Sequence, residues 1–96
     1  MPTFEPLPRF LRDYSRLTEG QKQAWVRMRR RFVAGLQVGR LDPALRVKRV
    51  QGHPGVWEIS WAPDGRATFH YGDQVHPGEP HVVWRRIGTH DVSNRP

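Results

Sequence analysis

Ninety-six residues carry sixteen Lys and Arg against nine Asp and Glu, a formal net charge of +7, and no cysteine. That length suits one small domain and excludes a catalytic β/α barrel or a doubly wound dinucleotide domain; the missing cysteines exclude a disulfide scaffold, a thiolate nucleophile and Cys-ligated zinc or iron–sulfur. With 36% hydrophobic residues the core is modest, so a stabilising partner is expected, and the charge points to an anionic one.

Thr3-Phe4-Glu5 reads as a very short strand. Pro6 and Pro8 suit a helix start, and Leu7, Phe10, Leu11, Tyr14 and Leu17 recur at steps of three and four, the signature of one helix face ending near Leu17. Thr18 and Gln21 have capping-box spacing and open a second helix. One side of it carries Ala24, Trp25, Met28, Phe32 and Leu36; the other carries Lys22, Arg27, Arg30 and Arg31, and Gly39 is its stop.

After Asp42-Pro43 the period changes. Leu45–Val50 is a strand candidate. Val56–Trp61 alternates, with Trp57, Ile59 and Trp61 facing one way and Val56, Glu58 and Ser60 the other. Pro63-Asp64-Gly65 is a turn. Arg66–Tyr71 alternates again, Ala67, Phe69 and Tyr71 against Arg66, Thr68 and His70. Gly72–Pro80 is polar and turn-rich, His81–Ile87 is another strand, and Gly88–Pro96 is an irregular tail. The order β-α-α-β-β-β-β predicts a single α+β domain over residues 1–96, with a helical hairpin on one face of a mostly antiparallel sheet. The opposite face is expected to be uncovered, presenting Glu58, Ser60, Arg66, Thr68 and His70.

No apolar run approaches the length of a membrane span, and Met1–Glu5 does not begin a secretory signal, so a cytoplasmic protein without a membrane partner is expected. The five histidines show no zinc spacing and the carboxylates are too scattered for a calcium loop. Neither a metal nor a cofactor is expected.

Fourteen of the sixteen basic residues are Arg, whose planar fork suits phosphate and stacks on bases. His53, in Gly52-His53-Pro54-Gly55, and His90, in Gly88-Thr89-His90-Asp91, lie in loops at strand ends, where sites concentrate. Each reads equally as a surface histidine or as an acid or base near neutrality. Cleaving RNA through its own 2′-hydroxyl needs a base, cationic donors for the phosphate, and an acid for the leaving oxygen. Asp64, Arg66, His53 and His90 can supply these roles without metal. Lys48, Arg49, Arg85 and Arg86 can hold the flanking backbone, with His70 beside them on the sheet. Trp61 is a stacking platform or, by its phase with Trp57 and Ile59, a core residue. Glu58 is a base, an orienter, or an exposed carboxylate offsetting Arg66. The basic side of the second helix reads as a solvated face, a nucleic-acid contact or a dock for an acidic peptide.

Across nearly its whole length this order of elements resembles the RelE/ParE superfamily of bacterial toxins from type II toxin–antitoxin pairs. Val56-Trp57-Glu58-Ile59-Ser60-Trp61-Ala62-Pro63-Asp64-Gly65-Arg66 is similar to the superfamily's sheet hairpin, and Arg66 fills the place of an Arg that contacts the scissile phosphate. Ile87-Gly88-Thr89-His90-Asp91 is similar to the tail of the YafQ-like branch, which implies His90 as general acid. His53-Pro54 and Asp64 match further positions of that branch, whereas Ser60 stands where the branch has a histidine. The resemblance implies a curved sheet and a metal-independent endoribonuclease, an mRNA interferase that cuts mRNA in the A site of the 70S ribosome. It also implies a cognate antitoxin that wraps the toxin and through which alone the pair meets operator DNA. Two other readings stay open: a ParE-like inhibitor of DNA gyrase, and a non-catalytic basic module that binds RNA or a partner, suggested by Ser60.

Overall fold

A computed structural model describes residues 1–96. The chain forms β1 (Thr3–Pro6), α1 (Pro8–Ser15), α2 (Glu19–Val38), β2 (Lys48–Arg49), β3 (Trp57–Ser60), β4 (Gly65–Tyr71) and β5 (His81–Thr89), with short 3-10 turns at Pro43–Leu45 and His90–Asn94. The sheet order is β1-β5-β4-β3-β2. β1 runs parallel to β5, and every other neighbour is antiparallel. No helix is long and apolar enough to cross a membrane.

Each helix is set by the chemistry at its ends. Pro8 opens α1, its fixed φ suiting the first turn. The Thr18–Gln21 capping box forms in full: Gln21 N–H donates to Thr18 Oγ1 at 3.1 Å, and Thr18 N–H donates to Gln21 Oε1 at 2.8 Å. α2 ends on Gly39, whose φ of 74° is the left-handed conformation that a side chain resists.

The two helices bury one sheet face in an aromatic core. Trp25 meets Trp84 edge-on at 5.1 Å between ring centroids, and Phe32 meets Phe69 at 5.1 Å and Trp84 at 5.4 Å. Phe10 of α1 completes the cluster with Leu45, Ile59, Ala67 and Ile87. The helix periodicity therefore identified the inner side of α2 and most of that of α1, where Phe10, Tyr14 and Leu17 pack inward but Leu11 stays exposed.

β1 covers only the first part of β5, His81–Trp84. Beyond it α1 takes over the edge: Asp13 accepts a hydrogen bond from Ile87 N–H at 3.2 Å and a two-pronged bond from Arg86 at 2.7 and 3.1 Å. An edge that would otherwise offer unpaired N–H groups is thereby closed. His81 secures the β1 half, lying 2.6 Å from Thr3 Oγ1 and 2.7 Å from Glu5 Oε1.

Three sequence expectations need correction. Leu45–Val50 is not one strand: Asp42 accepts from Ala44 N–H at 2.9 Å and starts a 3-10 turn, which buries Leu45 and leaves only Lys48–Arg49 to pair. β5 continues to Thr89, and most of the tail beyond it is an ordered 3-10 turn. Finally, the second sheet face is not uncovered. Val92 of the C-terminal turn seats beside Gly88, where a Cβ would come within 3.0 Å of Val92 Cγ1, and both Glu58 and Thr68 are buried.

Candidate functional site

β4 and β5 pair so that Gly65 lies opposite Thr89. This register brings the turn before β4 beside the turn after β5. Asp64 sits on the first turn and His90 on the second, and His90 Nδ1–H donates to Asp64 Oδ1 at 2.5 Å. Asp91 Oδ1 lies 3.4 Å from His90 Nε2. The three side chains are well exposed. The hydrogen bond to Asp64, then the charges of Asp64 and Asp91, raise the His90 pKa above its ordinary value; the same bond lowers that of Asp64. The pair thus favours the imidazolium form more than a free histidine would, with Nδ1 committed to Asp64 and Nε2 on the side of Asp91.

Arg66 stands on β4 two residues beyond Asp64. Its Nη1 donates to the carbonyls of Gly65, Pro63 and Ala62 at 2.9, 3.3 and 3.4 Å. The turn that presents Asp64 thus also holds the guanidinium, while Nη2 and Nε are left for a ligand. Ser60 faces Arg66 across the β3–β4 pair. Trp61 packs its ring against Gly65, where any Cβ would lie 2.6 Å from it, and is only 5% exposed. Of its two readings, the core one describes its position.

The other candidates lie apart. His53 is in the exposed loop at the Trp57 end of β3, whereas Asp64 and His90 lie beyond the Ser60 end. Of the four residues expected to supply the cleavage roles, only Asp64, Arg66 and His90 therefore come together. Glu58 does not offset Arg66. It is buried, accepts a hydrogen bond from the Ser93 hydroxyl, and lies 3.4 Å from Lys48 Nζ. Through Ser93 it fastens the turn that begins with His90. Lys48 and Arg49 stay exposed on β2, Arg49 over the Trp57 ring at 5.2 Å.

Arg85 and Arg86 follow one another where the β4–β5 register shifts, Thr68 pairing with Arg86 and Phe69 with Trp84. Arg85 donates to His70 Nδ1 at 3.0 Å and to the Pro96 carbonyl at 3.0 Å. Burial, then the Arg85 charge, lowers the His70 pKa, in keeping with a neutral imidazole accepting at Nδ1. Arg86 is engaged by Asp13 and also reaches the Arg95 carbonyl. On α2, Arg27, Arg29, Arg30 and Arg31 are exposed. No cluster of three or more His, Asp or Glu could hold a metal ion.

Two residues beside His90 are not among the candidates that the sequence offers: Asp91 and Ser93. Asp91 stood next to His90 in the quoted motif. Ser93 gave no signal, because its partner Glu58 is remote in sequence.

No protein-family model matches the chain, and no curated protein matches it. Solved structures do. A chain of the Escherichia coli DinJ–YafQ toxin–antitoxin complex superposes with a TM-score of 0.64 at 13% identity, covering 95% of this chain and 94% of its own. A conserved hypothetical protein of Helicobacter pylori gives 0.64 at 15% identity over 95% and 97%. A chain of the RelB–RelE antitoxin–toxin complex of Methanococcus jannaschii gives 0.60 at 13% identity over 97% and 95%. At these identities the likeness is one of fold: the chain has the RelE/ParE-like topology.

Proposed function

We propose that this chain is the toxin of a toxin–antitoxin pair and acts as a metal-independent endoribonuclease on mRNA held in the ribosomal A site. The observation that carries the reading is the Asp64–His90 pair with Arg66 on the adjoining strand, its guanidinium held by the turn's carbonyls. A fold alone does not specify a reaction. An imidazolium held by one carboxylate, beside a fixed guanidinium with free donors, suits phosphodiester cleavage.

The 2′-hydroxyl oxygen attacks the adjacent phosphorus, the P–O bond to the 5′-oxygen breaks, and Arg66 stabilises the charge that builds on the phosphoryl oxygens. His90 Nε2 gives its proton to the departing 5′-oxygen. Asp91, the exposed carboxylate near Nε2, accepts the proton of the 2′-hydroxyl. The products are a 2′,3′-cyclic phosphate and a 5′-hydroxyl. Glu58 acts through Ser93 as a positioning residue. His53 lies outside this group, and Lys48 and Arg49 are the cations free to meet flanking phosphates. Ser60 leaves the strand position beside Arg66 without an imidazole, so His90 carries the proton transfer to the leaving group.

The proposed antitoxin partner is supported by the likeness to chains of two toxin–antitoxin complexes and fits a +7 chain. An acidic antitoxin segment silences the toxin, and the antitoxin supplies any contact with operator DNA. Induced expression is expected to arrest growth, and His90→Ala to relieve the arrest at equal protein level. Arrest with intact mRNA and inhibited gyrase supercoiling would instead identify a gyrase inhibitor.

A further inference from the structure

A cleft of about 220 Å³ opens beside the catalytic group, between α2, the Pro43–Leu45 turn and the β3–β4 turn. Met28, Trp61 and Pro63 give it apolar walls, Ser60 a hydroxyl, and Arg46 and Arg66 two guanidinium groups; no carboxylate lines it. Arg66 therefore belongs both to this cleft and to the Asp64–His90 site.

Arg46 occupies an unusual backbone position. Its φ is 49° and its ψ 45°, the left-handed region, and it is the only non-glycine residue of the chain at positive φ. The four other such positions, 39, 52, 55 and 78, are all glycine. A Cβ in this region is disfavoured, and retained local strain concentrates where a side chain is needed. Arg46 N–H closes the turn onto the Pro43 carbonyl at 3.0 Å, a bond that glycine would make equally well. The fold needs the conformation at this position; it does not need arginine.

We propose that this cleft is a nucleotide subsite for single-stranded RNA, taking the base next to the scissile phosphate against its apolar walls, with Arg46 binding that nucleotide's own phosphate. The proposal rests on the ribonuclease reading of the adjoining site. Three features select RNA over other anions. The cleft is sized for one heterocycle. Its charge is wholly positive. Its shared Arg66 lets one continuous strand span both sites. An acidic peptide would use the two guanidinium groups but has no ring to set against Met28, Trp61 and Pro63.

The test is binding of a dye-labelled 2′-O-methyl hexaribonucleotide, which lacks the attacking hydroxyl, to the full chain, followed by fluorescence anisotropy across a salt series. Arg46→Gly is expected to weaken binding about tenfold, the effect of losing one charge-assisted phosphate contact. The slope of log affinity against log salt should become shallower by about 0.7, the value for one phosphate on a single strand. Arg46→Gln should lose as much and Arg46→Lys less, while Arg12→Gln on the exposed side of α1 should bind as the parent does. Arg46→Gly should melt no lower than the parent, because it relieves the backbone. Parent-like affinity and salt slope in both Arg46→Gly and Arg46→Gln would overturn the subsite. So would a parent chain that binds no RNA yet takes a polyglutamate peptide through Arg46. The two readings fail separately: with a wrong ribonuclease assignment, His90→Ala leaves mRNA cutting unaltered while the Arg46 variants still lose RNA binding; with a wrong subsite, the reverse holds.

Discussion

His90 Nδ1 and Asp64 Oδ1 meet at 2.5 Å, joining the first residue after β5 to the turn before β4. The pair fixes which imidazole nitrogen faces outward and favours the charged ring. Asp64→Asn is expected to lower the His90 titration midpoint toward the ordinary imidazole value of about 6.5. Asp91→Asn should lower it less, since Asp91 acts only through charge at longer range. The sign follows from the raised pKa: the pair's contribution to folding is complete below the unfolded value and fades as pH rises through the folded one. A histidine NMR titration of the three chains checks this, and an unmoved midpoint in Asp64→Asn would refute it.

Asp13 holds both Arg86 and the N–H of Ile87 where β5 has run past β1. Asp13→Ala leaves a partly buried cation and a backbone donor without partners, and is expected to cost about 2–4 kcal/mol in urea unfolding. Burial raises the Asp13 pKa, but the Arg86 bond, the Ile87 N–H and the charges of Arg86 and Arg16 outweigh it, so the net shift is downward. Its stabilisation is therefore present above the ordinary carboxylate value and lost as pH falls through the lowered one. Below about pH 4 the parent should lose stability more steeply than Asp13→Asn.

The buried Glu58 carboxylate receives the Ser93 hydroxyl and so anchors the turn that starts at His90. Ser93→Ala should cost about 1–3 kcal/mol, from a buried acceptor left with Lys48 alone. Hydrogen exchange over residues 90–94 should quicken, and cleavage should fall while the His90 side chain remains present. Gly88→Ala acts on the same turn from beneath, because its Cβ would crowd Val92 at 3.0 Å. Unchanged exchange in both variants would contradict the anchoring role.

Phe32 is wholly buried between Phe69 and Trp84. Phe32→Ala is expected to cost about 3–5 kcal/mol, a large share of the stability of so small a domain. Thermal unfolding measures it directly. An antitoxin of the proposed kind should recover part of the loss, since a partner that binds only the folded chain raises its apparent stability.

Local chemistry made much of this readable in the sequence. The Thr18–Gln21 box, the three-and-four spacing around Trp25 and Phe32, and the Pro63-Asp64-Gly65 turn each act within a few residues. Asp64, Arg66 and His90 were also legible as chemistry, and the structure joins Asp64 to His90 through the Gly65–Thr89 register. What stayed hidden depends on remote partners. Glu58 alternates like an exposed strand residue, yet it is buried where Ser93 of the C-terminal turn folds back onto it. Arg86 reads as a free cation until α1 places Asp13 beside it. His53 sits in a loop that suits a site, yet β3 sets it at the far end from His90.

The most direct measurement is a map of mRNA 5′ ends after induced expression of the parent chain and of His90→Ala. The parent should give cuts inside translated regions, phased to codons and bearing 5′-hydroxyls, and the variant should lose them while staying folded. The same phased cuts in His90→Ala, or arrested cells whose mRNA carries none, would contradict the assignment of cleavage to the Asp64–His90 pair.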